Sequence, residues 1–173
     1  NAETFIIGLL AGAIGVGVAL LLLKQVKAGE YVKVGELEGT VRTIGMFYTE
    51  LVTADNRHVS MPNSSLTNTA IVNYTREGTR RLDIPFSVSY GADIKAVRSI
   101  LLGVANADGV IDEPAPQVLL DECGDSAVKV LLRVWCRQEK YWELKFGLLE
   151  SGKAALTEAG VEIPFPQMDV HIK

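Results

Sequence analysis

The sequence predicts a membrane protein made of one spanning helix, a small β-barrel domain and an α/β domain of ferredoxin-like strand-helix-strand-strand-helix-strand order. Three observations predict this. Thr4–Leu23 runs twenty residues without a charged, amide or proline side chain. Five short β-rich runs, divided by turn formers and with no long helix among them, lie between Tyr31 and Tyr74. From Leu82 to Ile163 the apolar period alternates between two and about 3.6 residues in the order of a split βαβ motif.

The apolar run comes first. At about 1.5 Å per residue it is long enough to cross a hydrocarbon core roughly 30 Å thick. A soluble domain would have to bury such a helix on every side, and a chain of 173 residues has little material to do so. Gly8, Gly12, Gly15 and Ala19 share one face. Small residues at that spacing let helix backbones approach closely where lipid gives no hydrophobic drive, so this face is the candidate for helix packing. Leu10, Ile14, Val18 and Leu21 make a bulkier opposite stripe. A lone anchor helix is the blander reading, because membrane helices carry extra glycine anyway; close packing in an oligomer accounts better for the pattern. A dinucleotide loop at Gly12-Gly15-Gly17 would need a strand before it. A cleavable signal would need positive charge ahead, where Glu3 stands.

Composition narrows the classes. A net charge of −4 and a pI near 5.2 argue against nucleic acid as a partner. Lys24, Lys27 and Lys33 follow the apolar run closely, which places the C-terminal bulk in the cytoplasm. Cys123 and Cys136 fit that compartment as free thiols, by default buried as small hydrophobes. The sequons at Asn63 and Asn73 then have no meaning. The domains predicted are 1–27 (transmembrane), 28–76 (β) and 77–173 (α/β).

In order, Ala28-Gly29-Glu30 breaks the helix, and strands are expected at Tyr31–Val34, Thr40–Phe47, Thr49–Thr53, His58–Met61 and Ala70–Tyr74, with one helical turn at Ser64–Asn68. A closed barrel would remove the exposed edges of such strands. The stretch 76–81 reads as a solvated linker carrying Arg76, Arg80 and Arg81. Leu82–Tyr90 alternates as a half-buried strand, and Pro85 points to an edge position or a strand start. Asp93 caps a helix with Ile94, Val97, Ile100, Leu101 and Val104 on one stripe, ending near Asp108-Gly109. Strands follow at Val118–Asp121 and Val128–Arg137. A second helix runs from about Lys140 to Ala159 with Trp142, Phe146, Leu149 and Leu156 on one apolar face and Gly160 as its stop; Val161–Ile163 is the last strand.

Catalytic and metal chemistry finds no support. His58 and His171 lack further ligands at metal spacing, and the two cysteines form no CxxC. Asp121 and Glu122 are adjacent, so in a regular strand they face opposite ways and cannot act as a pair. No phosphate loop or serine elbow is present. The chain reads as a non-enzyme without a cofactor.

The apolar run followed by Ala28-Gly29-Glu30-Tyr31-Val32, Gly39-Thr40-Val41, Met61-Pro62-Asn63-Ser64-Ser65-Leu66 and Pro164-Phe165-Pro166-Gln167-Met168-Asp169-Val170 closely resembles the bacterial small-conductance mechanosensitive channel family, from about Leu20 onward. The resemblance implies a homoheptamer in the inner membrane, whose last membrane helices line a pore above a cytoplasmic vestibule. An Sm-like β domain and an α/β domain build that vestibule. It implies that Leu10–Leu23 covers the kinked second half of the pore helix, with Leu10, Ile14, Val18 and Leu21 as the candidate constriction. Family members carry at least two further membrane helices upstream, so the chain is expected to be a fragment. Lys24-Gln25-Val26 replaces the family's Arg-Pro-Phe. The expected function is a tension-gated, largely non-selective channel for ions and small osmolytes, with lipids and its own copies as partners. A membrane-anchored scaffold or sensing module without a pore is the alternative. RNA binding through the Sm-like domain is a third reading, opposed by the acidic balance.

Overall fold

A computed structural model describes residues 26–168 and 170, which fall into two compact units that divide at Gly78–Thr79. The predicted spanning helix, with Gly8, Gly12, Gly15 and Ala19 and with Leu10, Ile14, Val18 and Leu21, lies outside the described residues. Among the described residues no helix is long and apolar enough to cross a membrane.

The N-terminal unit contains β1 (Tyr31–Val34), β2 (Leu37–Ile44), β3 (Tyr48–Val52), β4 (His58–Pro62), helix α1 (Asn63–Asn68) and β5 (Ile71–Asn73). All neighbours are antiparallel, in the order β4-β3-β2-β1-β5. Alternation puts Val32, Val34, Val41, Leu51 and Met61 inside, where Val26 and Leu66 join them. The expected closed barrel is not completed by hydrogen bonds. No ladder joins β4 to β5, and α1 carries the chain from one edge to the other with Leu66 buried beneath it. β2 begins earlier than predicted, because Gly35, at φ +59°, and Glu36 alone turn the chain between Val34 and Leu37. Gly39, just ahead of the strand expected at Thr40–Phe47, lies inside β2. A Cβ there would come 2.6 Å from the Val52 carbonyl oxygen, so the close approach of β3 demands glycine.

The C-terminal unit contains β6 (Thr79–Val88), α2 (Ile94–Val104), β7 (Val110–Ile111), β8 (Gln117–Cys123), β9 (Val128–Arg137), a 3-10 turn (Gln138–Lys140) and α3 (Tyr141–Glu158). β9 is central. β6 pairs along one side from Thr79↔Arg137 to Val88↔Val128, while β7 and β8 lie end to end along the other. Val128, Val130, Leu132 and Val134 of β9 and Leu82, Ile84, Phe86 and Val88 of β6 point into one core with Val97 and Leu101 of α2. Asp93 caps α2 by accepting from the Lys95 amide at 2.9 Å. The helix stops at Val104, four residues short of the predicted end, and two-residue β7 was too brief to alternate.

Three other expectations are corrected. Val161–Ile163 forms no strand. Its Glu162 carbonyl accepts from Ser89 N–H at 3.0 Å, just past the end of edge strand β6, which carries Pro85, and Val161 N–H turns back to the Leu156 carbonyl at 2.9 Å. The inner face of α3 is Leu144, Leu148, Gly152 and Leu156, whereas Trp142, Phe146 and Leu149 are exposed. Arg80 and Arg81 belong to β6 rather than to a linker: Arg80 lies 3.7 Å over the Tyr141 ring and donates to Gln138 at 3.3 Å, and Arg81 pairs with Asp83 at 3.1 Å.

Gly152 explains the helix face. An added Cβ would fall 2.3 Å from Phe86 Cζ, so the ring occupies the space that a side chain would take, and the apolar pattern had a gap where contact is closest. Gly152→Ala is expected to destabilise the C-terminal unit by about 1–3 kcal/mol through overpacking. Denaturant unfolding should show this loss, and Gly152→Ala combined with Phe86→Leu should recover part of it.

Candidate functional site

The place where the apolar run meets the first folded unit is the candidate site. Val26, two residues beyond Lys24, is already buried in the β-unit core at 4% exposure. The packed core of the β unit therefore begins three residues after Leu23, the last residue of the apolar run. Gly29 N–H donates to Val41 O at 2.7 Å and Val41 N–H donates to Glu30 O at 2.9 Å, which extends the β1–β2 pairing back toward Lys27.

Glu30 ties this segment to the far end of the unit. Its Oε2 accepts from the Lys27 amide at 2.8 Å and from Asn73 Nδ2 at 2.7 Å, and lies 3.6 Å from Arg76 Nη2. The carboxylate is only 12% exposed, so these bonds are poorly matched by water. Asn73 Oδ1 in turn accepts from the amides of Thr75 and Arg76, an Asx turn at the end of β5. Thr75 Oγ1 accepts from the Tyr31 amide at 2.9 Å, and the Tyr31 and Tyr74 rings sit 5.8 Å apart.

A second polar lock stands at the Pro62-Asn63 step. Asn63 is 2% exposed and Thr49 0%. Thr49 Oγ1 donates to Asn63 Oδ1 at 2.8 Å, and Asn63 Nδ2 donates to the carbonyls of Gly45 and Met46 at 2.9 and 3.0 Å. The Asn63 amide also donates to Phe47 O at 2.8 Å. Every polar atom of the side chain is used, and the β2–β3 turn is fixed to the start of α1. Met46, Phe47 and Tyr48 at that turn remain exposed. By the antiparallel register they lie at the same end of the sheet as Val26.

The remaining ionisable groups serve structure. Glu50 is held below the usual carboxylate range by the Thr43 hydroxyl and then by His58. Burial pushes the Cys136 thiol up, while Cys123 is exposed at the end of β8, contrary to the expectation that both are buried. A register irregularity between Leu120 and Glu122 sets Asp121 outside the regular alternation, and Glu122 pairs with Lys129 at 2.6 Å. Among the described residues no cluster of acidic, cysteine or histidine side chains could hold a metal. Thr49 was not singled out from the sequence. Asn73 was noted only as a sequon, Glu30 only in the helix break and the resemblance, and the Pro-Asn step through the resemblance; none was given a bonding role.

A five-stranded β unit followed by an α/β unit matches, in order, two family models. "Mechanosensitive ion channel, beta-domain" matches residues 12–76, and "Mechanosensitive ion channel MscS, C-terminal" matches residues 82–163. The chain belongs to the small-conductance mechanosensitive channel family, a family of ion channels and not of enzymes. It is 40% identical over 157 residues to a small-conductance mechanosensitive channel of Edwardsiella ictaluri, covering 90% of this chain and 55% of that one. It is also 40% identical over 178 residues to an uncharacterised MscS family protein of Synechocystis, covering 99% and 60%. The chain thus spans little more than half the length of these curated relatives. The crystal structure of Helicobacter pylori MscS in its closed state superposes with a TM-score of 0.88 at 28% identity, over 99% of this chain and 71% of that one.

Removing the Asn63 amide should leave two carbonyls and the Thr49 hydroxyl without partners. Asn63→Ala is expected to cost roughly 2–3 kcal/mol. Asn63→Asp should be at least as harmful, because it sets a carboxylate oxygen against the Gly45 and Met46 carbonyls. Chemical denaturation followed by circular dichroism measures both; an unchanged midpoint would contradict the lock.

Proposed function

We propose that this chain is the pore-lining and cytoplasmic part of a homo-oligomeric, tension-gated and largely non-selective channel that releases ions and small osmolytes on hypo-osmotic shock. The observation that carries this reading is the order of parts: a run of membrane-spanning length leads directly, through buried Val26, into the two domains that define the family. One helix cannot enclose water, so conduction requires several copies around an axis. Seven copies in the bacterial inner membrane, with the two folded units in the cytoplasm, is the arrangement that the family resemblance implies. The unpaired outer edges of β4 and β5 and the exposed Trp142, Phe146 and Leu149 of α3 offer surfaces for self-association. Tension favours opening only through a difference between states, here a larger in-plane area when open.

In this reading Gly8, Gly12, Gly15 and Ala19 pack against a neighbouring copy's helix, and Leu10, Ile14, Val18 and Leu21 supply apolar rings that close the pore by dewetting. Gly12→Leu or Gly15→Leu should shift the opening tension or weaken assembly, whereas Leu9→Val should do little. Ile14→Ser or Val18→Ser should favour the conducting state. The test is patch recording under suction on the full-length gene product, with native mass spectrometry of the solubilised protein. Only monomers, or no tension-dependent current, would reject the channel and leave a membrane-anchored scaffold.

A further inference from the structure

We propose that Glu30 is a positioning residue for gating: its carboxylate passes displacement of the chain at Val26–Lys27 to the end of β5, from which the chain continues to the C-terminal unit. The inference rests on the channel reading above. It arises because one oxygen, Glu30 Oε2, gathers contacts from three separate points of the chain. These are the Lys27 amide before β1, the Asn73 side chain closing β5, and the Arg76 guanidinium three residues before β6 begins.

The alternatives for carrying such a displacement are limited. On the β2 side, the segment before β1 is held by two backbone bonds at Val41. On the β5 side, the ladder begins at Val32↔Asn73, and Tyr31 adds a bond to Thr75 and one to Tyr74. The Glu30–Asn73 contact, at 2.7 Å, ties the residue just before β1 to the end of β5. Without it, a pull on Lys27 would reach β2 through the two Val41 bonds but would reach β5 only from Tyr31 onward. With it, both neighbours of β1 move together. Asn73 is held in turn by the two amides that it caps, so its own position depends little on the membrane side. The Arg76 contact is longer and its side chain is 42% exposed, so it adds less than the two short bonds.

A residue that merely stabilised the fold would lower the melting temperature and the number of channels without moving the tension at which each opens. Opening tension is therefore recorded for the parent, Glu30→Ala, Glu30→Gln, Asn73→Ala and the double variant Glu30→Ala/Asn73→Ala in one membrane composition, with thermal melts of the same preparations. Glu30→Ala and Asn73→Ala are expected to shift the threshold in the same direction. The double variant should shift it no further than the larger single change, because both remove one link. Glu30→Gln retains an acceptor for both short bonds and loses only the charge facing Arg76, so it should restore most of the parental threshold. Thresholds equal to the parent, with melts lowered, would overturn the inference, as would shifts that simply add. If Glu30→Ala does not assemble, Asn73→Ala and Glu30→Gln still decide the matter: a parental threshold in Asn73→Ala rejects the link. A parent without tension-dependent current would reject the channel reading itself, which is a separate outcome.

Discussion

The N-terminal unit hangs on a four-residue strand. Tyr31–Val34 is bonded on both sides, to β2 and to β5, and its Val32 and Val34 are the buried centre of the sheet. So short a strand has few backbone bonds of its own, and the polar side chains at its start therefore matter more than in a long strand. Glu30 and Thr75 extend the pairing beyond the last ladder positions on the β5 side, and Val41 does so on the β2 side. The burial of Val26 anchors the same end from within the core. A chain arriving from an apolar run is in this way gripped at once by packing and by hydrogen bonds.

Two polar side chains, Glu30 and Asn63, each hold a junction that apolar packing cannot hold. Loops and strand ends expose carbonyls and amides that need partners once they leave water. Asn63 supplies them for the turn between β2 and β3, and Glu30 with Asn73 supplies them at the two ends of the unit. No described buried side-chain nitrogen or oxygen lacks a partner. A unit whose buried polar side chains are all paired resists local yielding, because yielding would cost a buried polar contact. This physical property suits a domain that follows the apolar run within a few residues.

The C-terminal unit is organised differently, around long β9 and the close approach of α3 to β6 at Gly152 and Phe86. Its arginines act inside the unit: Arg133 grips Asp83 through two nitrogens at 2.9 and 3.2 Å, and Arg98 reaches the Val118 carbonyl. Among the described residues beyond α3, Phe165 and Met168 are more than four-fifths exposed, while the Glu162 carbonyl is tied back to the Ser89 amide and the Gln167 amide to Ser126, each at 3.0 Å. The same fold occurs at low identity: the cryo-EM structure of Arabidopsis MSL1 superposes at a TM-score of 0.78 with 19% identity. Alternation and helical stripes therefore specify this fold more than particular residues do.

What the sequence by itself determined follows from period and punctuation. The five strands of the first unit, β6 with its edge proline, the Asp93 cap and central β9 were all legible, since alternating burial and turn residues are local properties written into neighbouring positions. Tertiary structure alone decided the rest. The inner face of α3 was misread because Gly152 contributes no apolar side chain, although it marks the tightest contact. The last strand failed because pairing depends on the edge of β6 rather than on the local run. The candidate site stayed hidden because Glu30 and Asn73 stand 43 positions apart, and Thr49 and Asn63 stand 14 apart. Nothing local distinguishes a carboxylate destined for an amide across a sheet from one facing water; only the register of β1 against its two neighbours brings the partners together.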